Sequence, residues 1–225
     1  MATPFVHLHL HTCYSLLDGA CRIEPLMDAV LAHGQQAVAM TDHGNMFGAV
    51  EFYTAARSRG VIPIIGCEVY EAPGSRTERK GSGPRPSAAH LVLLAADNTG
   101  YANLMRLVTA AHLEGYYYKP RIDRELLARH SRGLIGLSAC LKGRVAEQAL
   151  AGDKAAAART AGGYADILGK DNFFLELQDH GLPEQKMVNA SVLELSKRLG
   201  LPLVASNDVH YLERPHAKAH EVLLC

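Results

Sequence analysis

Short apolar runs alternate along the chain with longer stretches in which apolar positions recur at helical spacing. The apolar runs predict seven strands, at 4–10, 36–42, 61–72, 90–96, 133–139, 172–178 and 201–208. Helical patterns lie between them, at 24–33, 46–59, 99–112, 143–151, 154–168 and 184–199. Continuous apolar strands that alternate with helices are typical of a buried, mostly parallel sheet. Seven such units without a Gly-rich dinucleotide motif favour a closed α/β barrel over an open doubly wound sheet.

Residues 73–88 break this alternation, because they are rich in Gly, Pro, Ser and Arg and show no apolar face. Such a composition predicts a flexible surface loop, and a basic flap that touches a nucleic-acid backbone is the alternative. The last residues, HEVLLC, stop inside an amphipathic pattern without a helix cap. We therefore expect one domain over residues 1–225, as an N-terminal fragment of a longer chain.

Composition narrows the setting in which this domain works. The 225 residues include 23 basic and 23 acidic side chains, whereas a freestanding nucleic-acid binder is usually basic. Five cysteines without paired spacing indicate reduced thiols and a cytoplasmic location. The N-terminus lacks the pattern of a signal peptide. No apolar run approaches the length of about 18 residues that a membrane span needs, so we expect no membrane partner.

Histidines and carboxylates gather around the predicted strands, mostly at their ends. His9 and His11 share one face of the first strand, because alternate residues of a strand point the same way. In parallel barrels, functional groups cluster at the C-terminal ends of the strands. A single histidine is usually structural, but the combined pattern predicts a metal site. Its candidate ligands are His9, His11, Asp18, His43, Glu68, His90, Cys140, Asp208 and His210.

This donor set exceeds what one tetrahedral zinc ion uses, so it suits two or three divalent ions bridged by carboxylates. Such ions activate water and neutralise a leaving oxygen, which is the chemistry of phosphodiester hydrolysis. We expect Glu68 to bridge and Asp208 to act beside it as the two catalytic carboxylates. The thiolate of Cys140 favours zinc, carboxylates also tolerate manganese, and iron is a further option.

The segment YYYKPRID offers cations for the substrate. Lys119 and Arg121 are predicted to bind a substrate phosphate, a role for which the guanidinium group is well shaped. The alternative is that both cations are solvated while the neighbouring tyrosines pack this loop against the barrel.

Several segments together carry a resemblance to a known family: HLHLHT, TDHGN, GCEVY, NTGYANL, EGYYYKPRID, SACLKG and SNDVHYL. The chain resembles the polymerase and histidinol phosphatase (PHP) domain at the N-terminus of bacterial DNA polymerase III alpha subunits. The resemblance implies a distorted (β/α)7 barrel with a polynuclear metal site at the C-terminal ends of the strands. All nine candidate ligands lie at positions that match the ligands of the family. The sequence departs from the wider family at His7, where an Asp often stands.

The resemblance also implies a function. The chain would be part of a DNA-directed DNA polymerase, and the domain itself a metal-dependent 3′→5′ exonuclease that proofreads a primer 3′ end. Implied partners are DNA, the remaining alpha-subunit domains, and a proofreading exonuclease subunit within the replisome. Two alternatives stay open. One is a non-catalytic, metal-stabilised domain that supports the polymerase and docks a separate proofreading subunit. The other is a small-molecule phosphoesterase of histidinol-phosphatase type.

Overall fold

A computed structural model describes residues 5–79 and 88–225. The strands are β1 (Ala37–Met40), β2 (Ile62–Glu71), β3 (Ala89–Ala95), β4 (Arg121–Ile122), β5 (Leu134–Leu137), β6 (Phe173–Leu177) and β7 (Leu203–Ala205). The helices are α1 (Ile23–Ala32), α2 (Ala49–Ser58), α3 (Asn98–Leu113), α4 (Arg124–Arg129), α5 (Arg144–Leu150), α6 (Lys154–Leu168), α7 (Pro183–Leu199) and α8 (Ala217–Leu223). Two short 3-10 turns lie at Lys170–Asn172 and Arg214–His216. Within the described ranges, no helix has the length and hydropathy to cross a bilayer.

The strands form one curled sheet in the order β1-β2-β3-β5-β6-β7, with β4 paired to β2. The α/β class predicted from the sequence is confirmed. One direction differs from the expected mostly parallel sheet, because β3 runs antiparallel to both β2 and β5. This reversal brings the start of β3 to the edge where its parallel neighbours end. Tyr70 of β2 therefore lies opposite His90 of β3.

The strand predicted at 4–10 is absent from the described residues 5–10, which form an irregular segment held between the two sheet edges. On one side, Ala39 N donates to His7 O at 2.8 Å and Thr41 N donates to Leu10 O at 2.8 Å. On the other side, Leu10 makes a single parallel bridge to Val209, which follows β7. The sheet thus curls into a half-barrel, and the N-terminal segment fills the gap between its edges.

The two faces of β3 contribute to two different apolar clusters, one between the sheet and the helices and one inside the curled sheet. Leu91 and Leu93 face outward and pack with α3 and α6 in the largest core cluster, where both are completely buried. Val92 and Leu94 face the inside of the curl, where they pack with Leu137 in a smaller apolar cluster. Since His90 shares the inner face with Val92, the polar end of the barrel lies directly above this apolar layer.

The predicted loop at 73–88 is described only up to residue 79, and residues 80–87 lie outside the described residues. Arg76 anchors the first part: its backbone N–H donates to Asp123 Oδ2 at 2.9 Å, and its Nε donates to Glu114 Oε2 at 2.8 Å. The segment next to β2 is therefore tied to the residues on either side of β4.

Candidate metal centre

All nine predicted ligand residues lie together at one end of the half-barrel, where parallel strands end and β3 begins. Three overlapping groups have donor atoms within 4.8 Å of one another. They are His9–His11–Asp208, His43–Glu68–His90 and His11–His43–His210. His11 and His43 each belong to two groups, so the clusters form one continuous centre.

The first group joins the N-terminal segment to the residues after β7. His9 Nε2 and His11 Nε2 each lie 3.1 Å from Asp208 Oδ1, and both imidazoles are completely buried. The backbone of Asp208 is left-handed, with φ of 48°, a conformation that Asp tolerates better than most residues. Two imidazoles therefore share one carboxylate oxygen.

The second group surrounds Glu68, which lies on the inner face of β2. Glu68 Oε2 is 2.7 Å from His43 Nδ1, and Glu68 Oε1 is 2.6 Å from His90 Nδ1. Cys140 Sγ lies 3.8 Å from His90 Nδ1, so the thiol borders this group. The carboxylate of Glu68 therefore lies between two histidines at the middle of the centre.

The third group joins the completely buried His11 to two partly exposed histidines, His43 and His210. His43 Nε2 lies 2.9 Å from Asp18 Oδ2, and His210 Nε2 lies 3.6 Å from Asp18 Oδ1. The imidazole of His11 stacks on both histidines, with centroid distances of 4.0 Å to His43 and 4.3 Å to His210. Asp18, carried by the loop after the N-terminal segment, thus joins the outer histidines.

Several donor atoms of the centre are buried without a hydrogen-bond partner, as expected for atoms that bind divalent cations. Among the nine candidate ligands, all of which the structure describes, four buried side-chain atoms lack a hydrogen-bond partner: His9 Nε2, His43 Nδ1 and both carboxylate oxygens of Glu68. The short distances around Glu68 do not have hydrogen-bond geometry. A buried carboxylate without partners is costly unless a cation compensates it. Converging lone pairs on imidazole and carboxylate are what zinc and manganese bind.

Charge interactions in the metal-free chain are strong. Burial favours a raised pKa for Glu68, but His90, His43 and His9 outweigh burial and hold its pKa well below the usual range. Burial favours a lowered pKa for His43, but Asp18 and Glu68 outweigh burial and raise its pKa to about 9. Burial lowers the pKa of His11 to about 4, which keeps this imidazole neutral and able to bind metal near neutral pH.

Glu176 is a functional residue that the sequence analysis missed. Its Oε1 lies 2.8 Å from His9 Nδ1, and both side chains are completely buried. Gln178 Nε2 donates to the same oxygen at 2.9 Å, and Ser206 Oγ also donates to it. A carboxylate on the far nitrogen of an imidazole fixes the tautomer and the ring plane of a metal ligand. Its signal in the sequence is weak, because LEL in a strand also fits an exposed glutamate.

Asp42 supports the other side of the centre. It accepts hydrogen bonds from Thr12 N at 2.7 Å, Thr12 Oγ1 at 2.7 Å and Ser15 Oγ at 2.6 Å. Ser15 Oγ in turn lies 3.1 Å from His11 Nδ1 and accepts from His43 N at 3.1 Å. Asp42 therefore orders the turn after His11 and, through Ser15, contacts both the imidazole of His11 and the backbone of His43.

The two predicted phosphate-binding cations differ in position. Lys119 is exposed, and its Nζ lies 5.2 Å from the ring centroid of Tyr70, which packs against His43 and His90. Arg121 is only 2% exposed, and it donates to the carbonyl oxygens of Gly115, Arg76 and Glu78. The structure therefore places Lys119 next to Tyr70, a neighbour of His43 and His90, and does not bring Arg121 to the centre.

A cavity of about 530 Å³ opens directly over the donors. Asp18, His43, His90, Cys140, Asp208 and His210 form part of its wall. Further lining comes from side chains outside the predicted set, among them His180, His220 and Lys142. The centre is accessible from solvent on this side and closed by the apolar layer on the other.

Known proteins resemble this chain over most of its length. The family model for the PHP domain matches residues 7–180. The chain is 50% identical over 221 residues to the DNA polymerase III alpha subunit of Treponema pallidum, which is 98% of this chain and 19% of that protein. It is 51% identical over 223 residues to the alpha subunit of Thermus aquaticus, again 98% of this chain and 18% of that protein. The chain thus spans about a fifth of the length of these relatives.

Solved structures show the same fold at low sequence identity. A candidate metal-dependent phosphoesterase from Bifidobacterium adolescentis superposes with a TM-score of 0.57 at 17% identity, covering 95% of this chain and 90% of that one. A two-domain protein from Bacteroides vulgatus, described as containing a predicted PHP-like metal-dependent phosphoesterase, has a TM-score of 0.52 at 12% identity. That match covers 95% of this chain and 55% of the other.

Proposed function

The chain belongs to the PHP domain family, and we propose that it is the PHP domain of a bacterial DNA polymerase III alpha subunit and removes nucleotides from a DNA 3′ end by metal-dependent phosphodiester hydrolysis. Similarity to alpha subunits along nearly the whole chain supports the first part. The centre supports the second part. We also propose that this chain is part of a DNA-directed DNA polymerase. Its proposed partners are DNA, the other alpha-subunit domains, a proofreading subunit and the replisome.

One observation carries the hydrolytic part: both oxygens of Glu68 are buried between His43 and His90 without a hydrogen-bond partner among the described residues. A site kept only for stability is usually closed, four-coordinate and rich in cysteine. Here one thiol stands among five histidines and three carboxylates, and a cavity opens over them. An open centre with many donors suits catalysis better than a structural clamp.

We propose that the nine side chains hold two or three divalent ions. Cys140 and the imidazoles favour zinc, the carboxylates also suit manganese, and iron is compatible with the same donors. Such ions would supply Lewis acidity and an activated water for attack on phosphorus.

The protein's own groups prepare this centre. Glu176 orients His9 through Nδ1, which leaves Nε2 facing Asp208. Asp42 and Ser15 fix the turn beside His11. Glu68 faces four imidazoles, and one oxygen of Asp208 lies between two completely buried imidazoles, so these two carboxylates are the proposed catalytic pair. Glu68 is buried and already placed between its imidazoles, which avoids the cost of reorganising a charged group when the substrate binds.

Replacing Asp208 with asparagine tests the proposal. Removal of nucleotides from the 3′ end of labelled DNA, in the presence of manganese or zinc, should fall at least about 100-fold, since one oxygen of Asp208 faces two imidazoles. Asp171→Asn is the matched control, because Asp171 is exposed in a surface 3-10 turn. Its activity should equal that of the wild type.

Three outcomes would contradict the proposal. Undiminished 3′-end removal by Asp208→Asn would exclude this residue from the reaction. Much faster turnover of a phosphomonoester than of DNA would favour a small-molecule phosphoesterase. If the metal-loaded wild type hydrolysed neither substrate, the non-catalytic docking role would take its place.

A further inference from the structure

The loop between β5 and α5 carries two polar side chains to the same cavity. Cys140 and Lys142 both line the opening over the metal centre. We propose that Lys142 binds the phosphate group of the substrate at the mouth of this cavity and positions it against the metal centre. The inference rests on the proposed hydrolysis of a phosphodiester and names a substrate-positioning residue for it.

The backbone around Lys142 is fixed at several points. Gly143 N donates to Cys140 O at 2.8 Å, which closes a tight turn, and His90 N donates to Lys142 O at 2.9 Å. Gly143 is also bridged to His90. A side chain at 143 has no room, because a Cβ there would lie 2.2 Å from Ser138 O. The base of the Lys142 side chain is therefore held against the same strand that carries His90.

The amino group of Lys142 is free to bind a ligand. The side chain is exposed, and within 5–79 and 88–225 it makes no hydrogen bond or ion pair. Two other basic groups on the cavity wall are already engaged, since His180 Nε2 lies 2.6 Å from Asn207 O and His220 Nε2 lies 2.8 Å from Asp18 O. Among the described residues of the wall, Lys142 is the one Lys or Arg.

The cations predicted from the sequence compete poorly for this role. Arg121 is buried and bonded to backbone carbonyls, away from the cavity. The Nζ of Lys119 lies 5.2 Å from the ring centroid of Tyr70, and Lys119 is not part of the cavity wall. Lys142 alone among these three combines exposure with a place over the centre.

The chemistry of the ligand follows from the charges around it. The floor of the cavity is carboxylate and imidazole, which divalent ions would convert into a positive surface. An ammonium group at the rim then adds a flexible donor to an anion that the ions hold from below. A phosphodiester oxygen suits this arrangement, whereas a neutral or cationic substrate leaves Lys142 without a partner.

The alternative role for Lys142 is charge compensation within the protein. Its charge would offset Asp18 and Asp208 and thereby stabilise the metal-free centre. In that case, removing the charge would change metal binding and leave the contact with the nucleic-acid backbone unaltered. The two roles are separated by measuring metal content and the salt dependence of DNA binding on the same variants.

The test uses the full 225-residue chain loaded with manganese, and a short, labelled, single-stranded DNA whose phosphorothioate linkages keep the charge and resist hydrolysis. Binding is measured by fluorescence anisotropy across a series of salt concentrations. The variants are Lys142→Ala, Lys142→Arg and Lys197→Ala. Lys197 is the matched control, because it is exposed in the last turn of α7, where the chain leads into the opposite end of β7.

Lys142→Ala should bind the DNA about tenfold more weakly. Its slope of log K against log salt should be shallower by about 0.7, the value for one lost phosphate contact on a single strand. Lys142→Arg should keep the wild-type slope, Lys197→Ala should match the wild type, and metal content should be equal in all four proteins.

An unchanged slope in Lys142→Ala would overturn the inference, as would altered metal content or the absence of DNA binding by the wild type. Failure of the hydrolysis proposal looks different. A wild type that binds DNA with a slope dependent on Lys142, yet removes no nucleotide from a cleavable 3′ end, would refute hydrolysis and leave the role of Lys142 intact.

Discussion

Replacing Glu176 with glutamine tests whether the centre depends on a carboxylate outside the donor set. Glu176 Oε1 accepts from His9 Nδ1 at 2.8 Å, with both side chains completely buried. A histidine that binds metal through Nε2 keeps its proton on Nδ1, and a carboxylate there makes Nε2 a stronger donor. Glutamine keeps the size of the side chain and an acceptor oxygen but removes the charge.

The expected loss is in metal affinity more than in folding. Loss of such a partner typically weakens metal binding about 10- to 100-fold, which corresponds to about 1.4–2.7 kcal/mol. His9 also faces Asp208 at 3.1 Å and Glu68 at 3.6 Å, so two carboxylates still compensate its charge in the metal-free chain. We therefore expect the free energy of unfolding without metal to change less than the free energy of metal binding.

Competition with a chromogenic chelator measures the zinc and manganese affinities, and chemical denaturation without metal measures stability. Glu71→Gln is the matched control. Glu71 is also a buried carboxylate on the sheet, but it accepts hydrogen bonds from Tyr164 and Arg124 and contacts none of the nine donors. This control should lower stability and leave metal affinity unchanged.

The reasoning fails if Glu176→Gln binds metal as tightly as the wild type, because His9 would then be oriented without its charged partner. It fails in another way if Glu71→Gln loses the same affinity. That result would mean that any disturbance of a buried carboxylate loosens the centre, and Glu176 would have no special part in it.

Three further predictions concern protons, packing and the turn beside the centre. Metal binding should tighten as pH rises and should release protons near neutral pH, because the pKa of His43 is about 9 without metal and the ion must displace that proton. Calorimetry in buffers of different ionisation enthalpy measures the number of protons released. A metal affinity that does not change with pH would contradict this prediction. Leu93→Ala should lower the free energy of unfolding by about 2–5 kcal/mol, since Leu93 is completely buried in the largest core cluster. Denaturant titration measures this change. A loss under about 1 kcal/mol would mean that the neighbouring side chains collapse into the space that the smaller residue leaves. Gly143→Ala should lower both the free energy of unfolding and the amount of bound metal, because a Cβ there would lie 2.2 Å from Ser138 O. Gly162→Ala is the control, because a Cβ at this position in the middle of α6 would meet open space. Its free energy of unfolding should rise by about 0.5–1 kcal/mol.

The sequence predicted nine side chains that the structure brings together, but it did not predict how one of them, His90, reaches the centre. His90 stands at the start of its strand, and in a fully parallel barrel that position would lie at the far end from the other donors. The structure brings it into place because β3 runs antiparallel to β2 and β5. A short apolar run such as HLVLLAA reads the same in both directions, so periodicity gives no strand direction.

Arg121 and Glu176 show a second limit of the sequence. Arg121 sits in a polar segment and looks exposed, yet its donors are used by carbonyl groups of residues 76, 78 and 115. Glu176 alternates with apolar neighbours and looks like an outward residue, yet its partner His9 is 167 positions away. Both roles depend on long-range contacts, which local pattern and residue type do not encode.

Sharing of donors makes the centre a single unit in energetic terms. His11 belongs to two of the three groups and His43 to two, and Asp208 and Glu68 both face His9 and His11. If two ions bind as proposed, an ion in one group would fix imidazoles that the next group needs and would lower the conformational cost of binding the second ion. The same inner faces continue downward into the apolar layer, where Val92 follows His90 on β3. Apolar packing below and the charged donors above thus act on the same strands, so each proposed ion would stabilise the half-barrel that positions the next.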